Sequence, residues 1–176
     1  MSLVRTNYEK MRKVDLSAVR GLMLRENPQL TNREVEESIE GMLQWLAGHA
    51  SAPHNEKSYV MLFGPVDEAF HSFILNTRLY MRFCKEEVGF FIHHTPVEEE
   101  LAAELVADGS LEYTVNFLDE AFGEKLSPAL RVWCEGVRSG KLGASAVSCL
   151  WGQNIAEDPS ILAHFGLTSI TQRWAA

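Results

Sequence analysis

Helix-start and helix-stop chemistry recurs along this chain at intervals that suit a set of modest helices and little else. "TNREVEESIEGMLQWLAGH" opens on a capping box, Thr31 to Glu34, and then sets Val35, Ile39, Met42, Leu43 and Leu46 on one stripe at helical spacing. Upstream, Asp15 stands where it caps a short segment carrying Leu16, Val19, Leu22 and Met23, and Asn27-Pro28 ends that segment. Gly64-Pro65 opens a further helix after "YVMLF", a run that reads equally as a short strand or as the apolar entry to the helix. In "HHTPVEEELAAEL", Thr95 reads as cap, Pro96 as first helical residue and Glu98 as the capping-box partner. Gly109-Ser110 separates that helix from "LEYTVNFLDEAFG", closed by Gly123, and Ser127-Pro128 opens "PALRVWCEGV" with Leu130, Trp133 and Val137 aligned. After Ser139 small residues and glycines dominate, and Asp158-Pro159 to Gly166 reads as one last short helix. The sequence thus predicts a mainly α single domain over residues 1–176, a bundle of about six to eight helices with room for one minor short strand pair.

Composition narrows the partners. A chain of 176 residues with 46% apolar content supports one core, and a net charge of -8 lacks the clustered basic surface that nucleic acid or an anionic membrane requires. The N-terminal twenty residues are too charged for a signal peptide, and no apolar run approaches the ~18 residues of a membrane span. Cys84, Cys134 and Cys149 are odd in number, widely spaced and form no C-x-x-C pair, so they read as buried, unpaired thiols of a soluble cytoplasmic protein. Trp45, Trp133, Trp151 and Trp174 read as core anchors or interface residues. No phosphate-binding glycine loop, nucleophile elbow or H-E-x-x-H helix occurs.

The most distinctive stretch is "VDEAFHSFILNTRLYMRFCKEEVGFFIHHTP", Val66 to Pro96, which holds half of the six histidines. It resembles the signature of the glycine-rich-domain-containing-protein-like family, V-D-E-x-W-H-x-H/F-I-L-x-T-x-x-Y-x-x-x-C followed by a glycine and an aromatic-led H-H-x-P. The matching residues are Val66, Asp67, Glu68, His71, Ile74, Leu75, Thr77, Tyr80, Cys84, Gly89, His93, His94 and Pro96. Phe70 stands where the pattern has Trp, and Phe73 where many members have a second His. The glycine-rich region that names the family is absent. The family carries no settled activity, so the resemblance implies a shared segment rather than a reaction.

Spacing decides whether the histidines of this stretch form one site. Asp67 and His71, four residues apart, share a helix face. An unbroken helix from Val66 to Val88 would carry its end about 25 Å from His71, and the five residues Gly89 to His93 return only about 17 Å. A break at Asn76-Thr77, with Thr77 capping a second helix of about 18 Å, removes the shortfall. In an extended "FFIHHTP" only one of His93 and His94 faces His71 easily. Asp67, His71 and that histidine would make three ligands, the number of a catalytic zinc site and of a two-His-one-carboxylate iron site, and the residues do not choose between the two metals.

The alternative is structural: Asp67 and His71 as a surface pair, with His93 and His94 held in a buried turn. Two function classes follow. One is a small metal-dependent or acid/base enzyme using Asp67, His71, His93 and His94, with Tyr80 and Arg78 as contacts to a small-molecule substrate. The other is a non-catalytic helical module that binds a partner protein. Tyr80 and Cys84, also four apart, read as core, because nothing basic except Lys85 adjoins Cys84 and that side chain points elsewhere.

Overall fold

The computed structural model describes residues 2–52 and 57–151. The expected last helix from Asp158, Trp174 and the side chain of Trp151 lie outside the described residues. The chain is mainly helical. Its elements run α1 (Leu3–Met11), α2 (Ser17–Glu26), α3 (Asn32–His49), β1 (Tyr59–Leu62), α4 (Pro65–Leu75), α5 (Thr77–Phe83), a π-helical turn (Cys84–Val88), β2 (Thr95–Pro96), α6 (Glu99–Ala107), α7 (Ser110–Phe122), α8 (Pro128–Arg138) and β3 (Val147–Trp151). Eight α-helices among the described residues meet the expected number, and the strands form a three-stranded sheet instead of a pair.

The long α3 is the axis. Its capping box is present, with the Thr31 side chain accepting from the Glu34 amide and the Glu34 carboxylate accepting from the Thr31 amide. Val35, Ile39, Met42, Leu43 and Leu46 are all buried, and from Gly41 to His49 every residue is. Such all-round burial follows from its neighbours, since α1, α2, α4, α7 and α8 all pack against it. Close approach of α4 requires a glycine: a Cβ on Gly41 would lie 2.9 Å from Val66 Cγ2 and 3.3 Å from Ser127 Oγ. Trp45 then ties α3 to the sheet, donating from its indole nitrogen to the Val60 carbonyl at 3.0 Å. Trp133 is likewise buried.

β3, the last strand among the described residues, is the central one, antiparallel to both neighbours in the order β1-β3-β2. Met61 faces Cys149 and Leu62 faces Val147, so Ser148 is an extra residue, a β-bulge. On a regular strand residues 148 and 149 would point to opposite faces. The bulge removes that alternation, and both side chains reach the same carboxylate, as described below.

Two local readings need correction. Thr95-Pro96 do not start a helix; they form β2, and α6 begins at Glu99 with Glu98 as its extended N-cap residue. An edge strand tolerates a residue without an N–H, and the ladder to β3, including the Val97 amide donating to the Ser148 carbonyl at 3.1 Å, outweighs the local capping signal. The run Glu98-Glu99-Glu100 supplies the acidic first turn that suits a helix N-terminus. The second correction is α1, absent from the sequence reading. Ser2 caps it through the Arg5 amide, and Val4, Tyr8 and Met11 are its buried face.

Packing at the α3–α4 crossing yields a paired prediction. Gly41→Ala should lower stability by about 1–3 kcal/mol, as overpacking does. Gly21→Ala, exposed on α2 with nothing within 4 Å of the added Cβ, should be neutral or gain up to about 1 kcal/mol. Urea denaturation of both variants checks this, and equal losses would contradict the assignment of Gly41 to the contact.

Candidate metal centre

α4 starts at Gly64-Pro65, with Gly64 at φ 134° and proline in the first turn. Asp67 falls in that first turn, where the helix dipole favours a carboxylate, yet it is only 2% exposed. Burial of a carboxylate needs partners. The bulged strand supplies them: the Ser148 hydroxyl lies 3.1 Å from Asp67 Oδ1 and 3.2 Å from the Met61 carbonyl, and Cys149 Sγ lies 3.7 Å from the same Oδ1. One helical turn on, His71 Nδ1 stands 3.8 Å from Asp67 Oδ2. Because Asp67 is buried, this is not a surface pair.

The helix then breaks. α4 ends at Leu75, Asn76 takes φ -83° and ψ 58°, and α5 begins at Thr77 as its first residue, not as its cap. The Asn76 side-chain amide donates back to the Ser72 carbonyl at 2.9 Å, which stabilises the stop. After the π-helical turn, Gly89 adopts the left-handed conformation at φ 93° and reverses the chain. Tyr80 pins the returning segment by donating its hydroxyl to the Ile92 carbonyl. Burial pushes the Tyr80 phenol up, with the Cys84 thiol adding to the effect.

This return brings His94 to the site. Its ring lies nearly parallel to Phe70, 11° between planes, and its Nε2 is 2.9 Å from His71 Nε2 and 2.7 Å from Cys149 Sγ. His93 turns elsewhere: its ring meets Phe91 edge-on at 4.9 Å, and its buried Nε2 has no hydrogen-bond partner. Asp67, His71 and His94 are therefore brought together and His93 is not. Tyr80 is buried among Phe70, Phe73 and Phe91, and Arg78 is exposed on α5. Cys84, Cys134 and Cys149 are all buried and outside any disulfide.

Cys149 is the member that sequence reasoning missed. One ligand atom each from Asp67, His71, His94 and Cys149 lies within 4.8 Å of all the others. Tetrahedral zinc, with sulfur at about 2.3 Å and nitrogen or oxygen at about 2.0–2.2 Å, spaces its donors by roughly 3.3–3.6 Å. The cluster needs only small side-chain movements to reach that spacing, the two shortest contacts opening and the longest closing. Protons serve it less well. A single imidazole nitrogen offers one lone pair or one hydrogen, and His94 Nε2 has two heteroatoms at bonding distance.

Electrostatics point the same way. Burial holds the Cys149 thiol up at about 12, helped by the neighbouring Asp67 charge and opposed by Ser148. Burial also raises the Asp67 carboxyl, against the effects of His71 and Ser148, and it lowers His94, joined by His71. Each shift disfavours an uncompensated charge, and a bound cation would reverse that balance for the carboxylate and thiolate. His71 is the opening of the cluster, its side chain 42% exposed against 3% for Asp67.

Fold and site together describe a small, mainly helical protein with a mixed carboxylate, imidazole and thiol cluster. Residues 8–125 match the UCP032817-like family, and the chain belongs to that family. No curated protein and no solved structure matches it. The matched residues contain Asp67, His71 and His94, and Cys149 lies beyond them. Among the described residues, no helix is long and apolar enough to cross a membrane.

The raised Asp67 carboxyl fixes a sign. A folded-state value above the unfolded one contributes stability at low pH that is lost as pH rises, so in chelator-treated protein the Asp67 carboxyl makes the fold less stable toward neutral pH than in acid. In EDTA at pH 7, Asp67→Asn should melt above the parent, with the difference shrinking as pH falls toward 4. Thermal melts across that range check it, and a lower melting temperature for the variant at pH 7 would contradict the reading.

Proposed function

We propose that the chain is a metal-binding protein in which Asp67, His71, His94 and Cys149 hold one zinc ion. The observation that carries this is the convergence of four donor atoms, from α4, the segment before β2, and β3, within 4.8 Å. A thiolate with two imidazoles and one carboxylate suits zinc and argues against magnesium or calcium, which take oxygen shells. Cys149 also occupies a position that a two-His-one-carboxylate iron centre leaves open. Four protein ligands make the shell that structural zinc takes, so the primary reading is a zinc-stabilised, non-catalytic fold. Ser148 acts behind the ligands by orienting Asp67.

A second reading, a metal-dependent enzyme, is favoured by the exposure of His71. Exchange of that side chain for water or a small-molecule substrate would give three protein ligands and an open position, the catalytic form of zinc. We further propose that the Val66–Pro96 signature is shared with the glycine-rich-domain-containing-protein-like family. Its residues would then serve one end: Asp67, His71 and His94 as donors, Tyr80 and Cys84 as the packing that holds the return. Reduced thiols, one of them a metal ligand, suit a cytoplasmic location.

Protein purified without a histidine tag should carry one zinc per chain by elemental analysis. His94→Ala and Cys149→Ala should lose it, the adjacent His93→Ala should keep it, and Ser148→Ala should weaken affinity by about 10–100-fold. Equal zinc content in His93→Ala and His94→Ala would overturn the assignment. Because the Cys149 thiol sits at about 12, zinc binding at pH 7 should release about one proton from it. The dependence of the calorimetric binding enthalpy on buffer ionisation measures this.

A further inference from the structure

We propose that occupancy of this centre governs the docking of β3, an inference that rests on the zinc reading above. β3 is the last described strand and the middle of its sheet, so β1 and β2 are joined only through it. Its hold on each neighbour is modest. β2 is two residues long and includes Pro96, and the β1 ladder is interrupted by the bulge at Ser148. Among the described residues, the side-chain hydrogen bonds from β3 to a helix run to one group, the Asp67 carboxylate, through Ser148 and Cys149.

A zinc ion bonded to Cys149 would join β3 to α4 through Asp67 and His71, and to the lead-in of β2 through His94. Lifting β3 away would remove one of four ligands. Zinc that binds only the docked state stabilises docking by mass action, and docking raises zinc affinity by the same factor. Two amides outside β3 report the state: Val97, which donates to the Ser148 carbonyl at 3.1 Å, and Phe63, which donates at 2.8 Å to the carbonyl of Ala146, the residue that leads into β3.

Hydrogen exchange of the full chain, followed residue by residue with and without zinc, tests this. At free zinc about one hundred times its Kd, exchange at Val97 and Phe63 should slow by about 100-fold relative to chelator-treated protein, in proportion to free zinc, whereas Leu46 in α3 should change far less. Val147→Asn disturbs β3 at a buried position opposite Leu62 that supplies no donor. It should speed exchange at Val97 in zinc-free protein, and it should weaken zinc binding by the factor by which the docked fraction falls. Zinc bound stoichiometrically with protection at Val97 and Phe63 unchanged would overturn the docking inference and leave the metal site standing. No zinc binding to the parent would remove both. Should Val147→Asn fail to fold, the zinc titration of the parent decides alone.

Discussion

A carboxylate buried at the start of a helix has to be answered by something, and Asp67 is answered from across the sheet. Its helix supplies a favourable dipole and a histidine one turn away, but the contacts to Oδ1 come from Ser148 and Cys149. Those two adjacent residues reach one oxygen because the strand is bulged between them and their β1 partners. Remove the bulge and one of the pair turns away. Remove the carboxylate and Ser148 and Cys149 lose their hydrogen-bond acceptor on α4. The rest of the site is arranged around that contact.

Around it the packing is aromatic and directional. Phe70 lies parallel to the His94 ring and edge-on to Tyr80, while Phe73 meets Tyr80 and Phe83 edge-on. Such contacts fix ring planes more tightly than aliphatic packing does. Tyr80 adds a hydrogen bond to the carbonyl of Ile92, two residues before His94. The π-helical turn and the left-handed Gly89 set the length and direction of the return. The imidazole of His94 is thus held by its neighbours independently of any ligand, an arrangement that lets a metal bind without first ordering the chain.

Legibility in the sequence followed the range of the interactions. The capping box at Thr31, the starts at Pro65 and Pro128 and the stop at Gly123 are local and stood out, as did the interruption at Asn76. Asp67 and His71 could be paired by helical spacing alone. α1 is weakly marked: Val4, Tyr8 and Met11 keep helical spacing, but they are single apolar residues within a charged stretch. Thr95-Pro96 carried a concordant helix-start signal and became a strand, since pairing with a segment over fifty residues away overrode it. Cys149 is separated from Asp67 by 82 positions and lies on a strand in a stretch without helical periodicity. No spacing rule reaches that far, and only the three-dimensional pairing of β3 between β1 and β2 reveals the fourth donor.

The central claim is that one ion sits among a thiolate, two imidazoles and a carboxylate. X-ray absorption at the zinc edge, on protein purified without a tag, reads that shell directly. The account predicts one sulfur at about 2.3 Å with the remaining nitrogen and oxygen ligands at about 2.0–2.2 Å, and loss of the sulfur contribution in Cys149→Ala. A shell of nitrogen and oxygen alone in the parent, or a sulfur that persists in the variant, would contradict it.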